Sequence, residues 1–150
     1  MSRKYEFTDD TIEVDGHTLY RIIALINFYG VEAGDLGGYI ESEKNLSHDC
    51  ESWIYRSARV FEQAHVDGYA HIYGYARIYG SAVVTGRARV YGYAQIYGNA
   101  SLTKDVRVGG NIKLDHGIWS NRIEKDSNQY LISTTLEKIS IPDKVKHIKI

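Results

Sequence analysis
Several things are scarce in this 150-residue chain, and each scarcity excludes something. The single cysteine, Cys50, excludes an intramolecular disulfide and makes an intracellular setting the simpler reading. No apolar run is long enough to span a bilayer, and the N-terminal MSRKYEFTDD lacks the apolar core of a signal peptide. The expectation is a soluble cytoplasmic protein with no membrane partner. Helical spacing of apolar residues, at threes and fours, is missing from the central stretch. Metal-ligand spacing, a nucleophile elbow and a phosphate loop are missing too, so neither a metal nor a cofactor is expected. The net charge is only −1. It is uneven, with four basic against eleven acidic residues in 1–53, eight against three in 54–114, and six against five in 115–150. An acidic head on a basic body suits head-to-body association or an anionic partner.

What is present is a six-residue period. Ile54, Val60, Val66, Ile72, Ile78, Val84, Val90, Ile96, Leu102, Val108 and Leu114 follow one another without a slip. Two residues before each stands a small one, from Ser52 and Ala58 through Ala100, and then Val106 and Ile112. Tripeptides such as Tyr73-Gly74-Tyr75 and Tyr97-Gly98-Asn99 fill the gaps. Each hexad reads as a short strand and a glycine corner, with the alanine and the aliphatic residue on one side and their neighbours on the other. Repetition stacks the strands in parallel and makes a β-solenoid whose inward residues form aliphatic ladders.

The hexads resemble the [LIV]-[GAED]-x-x-[STAV]-x repeat of left-handed β-helix proteins, as at Ile72–Arg77 and Ile78–Val83, which keep its first and fifth positions and carry Tyr73 and Tyr79 at the second. The resemblance implies an all-β, left-handed parallel β-helix with three hexads per coil. The outward residues then sort into three faces. One stacks Trp53/Tyr55, His71/Tyr73 and Arg89/Tyr91; the next stacks Arg59/Phe61, Arg77/Tyr79 and Gln95/Tyr97; the third stacks His65/Asp67, Val83/Thr85 and Ser101/Thr103. Tyr75 and Tyr93 fall at a corner between the first two.

The expected organisation is an N-terminal cap with an irregular first coil over 1–53, the repeats over 54–114 and a C-terminal β cap over 115–150. Strands at Lys4–Thr8, Thr11–Val14 and His17–Leu25, with Asp15-Gly16 between, predict a β-hairpin covering the first coil's open edge. Leu46 and Ile54 are eight apart, which predicts a two-residue insertion near His48–Cys50. His116–Trp119 would open the C-terminal cap, followed by strands at Gln129–Thr135, Lys138–Ile141 and Val145–Ile150, with Pro142-Asp143 as a turn. The segment AGDLGGYIESEKNLS at 33–47, followed by Trp53, resembles the lead-in motif of small hexapeptide-repeat proteins encoded by bacteria and their phages.

Two function classes follow. Many left-handed β-helix proteins are trimeric acyltransferases that bind acyl-CoA and use a histidine base. His65 and His71 are the candidates for a CoA-dependent acyltransferase here. The repeat, however, extrudes no loop to close a site. The other class is non-catalytic binding, by Tyr55, Tyr73, Tyr75, Tyr79, Tyr91, Tyr93 and Tyr97 with Arg77 and Arg89, residue types enriched at binding hot spots. The reading adopted is a rigid scaffold for a protein partner, self-associating as a dimer or trimer. The phage-type resemblance implies an anti-CRISPR-type inhibitor of a host defence protein. Nucleic acid is the lesser candidate partner, because the excess positive charge is spread around three faces.

Overall fold
The six-residue period wraps the chain into a three-sided coil. The computed structural model describes residues 3–120, 123–125 and 131–133, the last two segments by backbone alone. Each rung pairs in parallel with the rung eighteen residues on, Trp53 with His71, Arg59 with Arg77, His65 with Val83. Three hexads thus complete one coil, and the rungs stack into three sheets. Trp53–Ile54, His71–Ile72, Arg89–Val90 and Arg107–Val108 form the first. Arg59–Val60, Arg77–Ile78, Gln95–Ile96 and Lys113–Leu114 lie in the second; His65–Val66, Val83–Val84, Ser101–Leu102 and Ile118–Trp119 form the third. The expected parallel β-helix is the architecture observed.

Backbone groups of one coil are satisfied by the next. The His71 N–H donates to the Ala88 carbonyl at 3.0 Å and the Tyr73 N–H to that of Val90 at 2.7 Å. Every aliphatic residue of the period from Ile54 to Val108, and every alanine from Ala58 to Ala100, is fully buried. The corners turn at residues of positive φ, such as Gly74 at φ 65°. A Cβ there would stand 3.0 Å from the Gly92 backbone of the next coil, so both the conformation and the space call for glycine.

The N-terminal hairpin consists of β1 (Tyr5–Val14) and β2 (His17–Ala24). Asp15 and Gly16 take φ 50° and 84°, the two positive values that a type I′ turn needs. β2 pairs antiparallel with β3 (Leu36–Ile40), which pairs in parallel with Arg59–Val60. The hairpin therefore protects the open edge by extending the second sheet, while Tyr5, Ile22 and Ala24 close the end of the core.

The first coil carries the expected insertion. Leu46 bridges Val66, twenty residues on, whereas Trp53 meets His71 at eighteen. The buried Lys4 ties this stretch down, its Nζ donating to the carbonyls of Cys50 at 2.8 Å and Ser52 at 2.7 Å. Burial lowers the Lys4 pKa to about 8.

The lead-in motif has a structural explanation. A Cβ on Gly37 would come within 2.7 Å of both Trp53 and Ile22, so only glycine lets β3 pass this close. Asn45 is fully buried and completely satisfied. Its Oδ1 accepts from the N–H groups of Glu41 and Ser42, and its Nδ2 donates to the carbonyls of Glu62 and Ala64.

At the other end the aliphatic spacing stops at Leu114, yet the coil continues for one more side. Ile118–Trp119 pairs in parallel with Ser101–Leu102, and the buried Trp119 closes the core. The cap expected from His116 onward thus begins as a further solenoid rung. Residues 123–125 pair antiparallel with 131–133, within the strand expected at Gln129–Thr135. The strands expected at Lys138–Ile141 and Val145–Ile150, and the Pro142-Asp143 turn, lie outside the described residues.

Candidate functional site
The eighteen-residue coil places like residues above one another and builds aromatic columns. Phe61, Tyr79 and Tyr97 stack along the second face, with ring centroids 5.1 and 5.0 Å apart. Tyr55 and Tyr73 stack at 4.5 Å on the first face, as their spacing predicted. Tyr91 continues that column by lying over Gly109, where a Cβ would collide with its ring. These rings are partly or wholly covered, and burial raises the pKa of Tyr55 and Tyr79.

The corner between the first two faces is different. Tyr75 and Tyr93 stack at 5.2 Å with planes 7° apart, yet remain 54% and 61% exposed. Beside them lies a cleft of about 310 Å³ lined by Arg59, Arg77 and Gln95. Two parallel phenols on a stiff backbone, with two guanidinium groups alongside, form the most exposed aromatic feature of the sequence-predicted set.

Arg89 is half-buried and directed elsewhere. Its guanidinium donates to the Tyr73 hydroxyl at 3.2 Å and the Tyr29 hydroxyl at 3.3 Å. Tyr29 was not among the sequence candidates. It comes from the turn Phe28–Val31, at φ 39°, and folds over the first face with its ring 4.4 Å from that of His71. The glycine after it, Gly30, was the available turn signal, but nothing local says which face the tyrosine covers.

The two histidines of the acyltransferase reading are far apart in character. His71 sits at an outward strand position yet is fully buried beneath Tyr29 and beside Tyr55. Neither ring nitrogen makes a hydrogen bond of acceptable geometry among the described residues. Desolvation lowers its pKa to about 4, Arg89 and Lys4 push the same way, and the nearby Tyr69 and Glu51 backbones oppose only in part. His65 is half-exposed, but its Nδ1–H donates to the Lys44 carbonyl at 2.6 Å and its Nε2 faces the Asp67 carboxylate at 3.2 Å. Both ring nitrogens thus face oxygen atoms of neighbouring residues.

The acidic lead-in residues are also occupied. Glu41 and Glu62 accept from the two ring nitrogens of His17, at 2.8 and 3.1 Å. Glu41 additionally accepts from the Glu62 N–H, and Glu62 from the Gly80 N–H. The hydrogen bond to Glu41 is the chief cause of a raised His17 pKa, so the imidazolium is the fitting state. Glu43 holds Arg3 and His48, and the Cys50 sulfur accepts from the Gly68 N–H. Among the described residues no His, Cys, Asp and Glu cluster forms a metal site, and no helix is long and apolar enough to cross a membrane.

No protein-family model matches the chain, and no curated protein matches it.

Proposed function
We propose that this is a non-catalytic binding protein, which offers the Tyr75–Tyr93 ridge and its flanking Arg59 and Arg77 to a protein partner. The observation that carries the reading is the pair of stacked phenols that stay more than half exposed on a hydrogen-bonded solenoid. Tyrosine and arginine dominate interface hot spots, and a pre-stacked pair loses little conformational freedom on docking. The half-buried columns at Tyr55, Tyr73, Tyr79, Tyr91 and Tyr97 then serve to stiffen the ridge's support. The phage-type lead-in at 33–47 supports a bacterial host defence protein as the partner, and self-association as a dimer or trimer would multiply the ridge.

The test is capture from a bacterial host lysate, with the bound proteins identified by mass spectrometry. The parent is expected to retain a specific protein that joint Tyr75→Ala and Tyr93→Ala substitution releases, with the thermal midpoint little changed. Equal retention by both would remove the ridge from the account. The acyltransferase reading is separated by calorimetric titration with acetyl-CoA, for which no heat is expected at millimolar ligand.

A further inference from the structure
The opposite corner of the first face, between the third sheet and the first, carries a cleft of about 420 Å³. It is lined by Tyr29, Tyr69, Arg87, Arg89, Asp105 and Arg107. We propose that this cleft binds a nucleoside monophosphate, its arginines holding the phosphate and its tyrosines stacking the base.

Charge supports the phosphate. Three guanidinium groups converge and Asp105 is the one carboxylate in the lining, which leaves two positive charges in excess. Arg89 is fixed in place by two phenol hydroxyls, neutral acceptors that orient a guanidinium without cancelling its charge. Among the described residues no ion pair neutralises Arg87, Arg89 or Arg107. A phosphate monoester near neutral pH carries about −1.5 to −2, which matches that excess, and guanidinium forks suit its oxygens.

The rings support the base. Tyr29 rests one face on His71 and is still 46% exposed, so it is a backed platform with an open side. Tyr69 is likewise 46% exposed, with the Arg87 guanidinium over its ring at 5.8 Å. Base stacking on such rings strengthens binding and tolerates any base, because every base has a π-face. The cleft volume lies within the range of about 300–1,000 Å³ usual for small-ligand sites, and above what a bare phosphate needs.

Calorimetric titration of the full chain with AMP, GMP, adenosine and inorganic phosphate tests this. At least one nucleotide is expected to bind in the sub-millimolar range, with adenosine and inorganic phosphate each roughly tenfold or more weaker, since each lacks half of the recognised chemistry. Arg87→Gln with Arg107→Gln should cut nucleotide affinity by about tenfold or more, as two charge-assisted contacts go. Tyr69→Ala should weaken the nucleotide but not phosphate. All three residues are exposed, so the thermal midpoint should hold. The Tyr75→Ala, Tyr93→Ala protein should bind nucleotide as the parent does, because that ridge lies on the other corner. No heat with either nucleotide at millimolar concentration, phosphate binding as tightly as nucleotide, or an unchanged affinity in the double arginine variant would each overturn the proposal. So would a short single-stranded oligonucleotide that bound far tighter than either mononucleotide.

Discussion
At His71 an imidazole is sealed beneath Tyr29 with no hydrogen-bond partner among the described residues, and acid should act on the fold through it. Its folded pKa is about 4 against an ordinary 6.5, so between those values the unfolded chain binds more protons. Stability is therefore lost as pH falls through that window, by on the order of 3 kcal/mol in full. His71→Phe keeps a ring under Tyr29 and removes the titration. In urea unfolding at pH 7 and pH 4.5, the variant should lose clearly less stability than the parent; equal losses would mean that the site is wetter than its burial implies. His17 behaves in the opposite sense. Hydrogen bonding to Glu41 raises its pKa above 6.5, so its contribution is complete below 6.5 and fades as pH rises through the raised value. Desolvation pushes Glu41 up, but hydrogen bonds from His17 and the Glu62 backbone bring it below 4.5, so its share is present above 4.5 and lost on acidification. The Glu41–His17 pair is thus whole between those two values. NMR titration of the His17 ring should give a midpoint above 6.5 that drops on Glu41→Gln; an unmoved midpoint would dissociate the two groups.

Among the elements, the hexads were legible because a period of six leaves the inside and outside of each rung no alternative. The alanine and the branched residue share a parity, so one buried set brings the other with it. The tyrosine columns were legible for the same reason, since eighteen residues always return to the same face. What covers those faces was not. His71 looked like any outward position because Tyr29, the residue that hides it, belongs to a distant turn. His65 and Asp67 were already legible as outward neighbours on the third face, but their contact is set by the rotamers. The lead-in motif was recognisable as a string of letters, but its reason is tertiary: Gly37 is needed by Trp53, and Asn45 by four backbone groups of two coils. Asn45→Ala takes the partner from those four groups, one buried and three partly buried, and each that stays unsatisfied costs about 1–3 kcal/mol before water or relaxation offsets it. The variant is expected to lose roughly 2–4 kcal/mol in urea unfolding, with the ridge rungs keeping their amide protection longer than the first coil. A loss under about 0.5 kcal/mol, the usual scale of a surface change, would show that the motif is not a fastening.

For the whole molecule, the problem set by a stack of open sheets is where each one stops. The first sheet ends beneath Phe28, which meets Trp53 edge-on at 5.2 Å, and the third begins at the Leu46 bridge. The second sheet is continued by the hairpin and ends at β1, a ten-residue edge strand. Long edges invite pairing with another copy, and charge and bulges are the usual protection. β1 has both, with exposed Glu6, Asp9, Asp10 and Glu13 and a break in register between Phe7 and Thr11. The acidic excess of the head therefore has a local use that needs no partner, since two such edges repel each other. Asp10 is paired with Arg21 at 2.8 Å and is left in place, while Glu6, Asp9 and Glu13, the last accepting from the Thr18 hydroxyl at 2.7 Å, are the substitutions to make. Replacing all three by valine should produce concentration-dependent association in sedimentation velocity beyond the parent's own state, with the β circular dichroism retained. The association should persist at high salt, because the new contact is apolar and backbone-mediated. Identical sedimentation of parent and variant would free these carboxylates from guarding the edge and return them to the search for a basic partner.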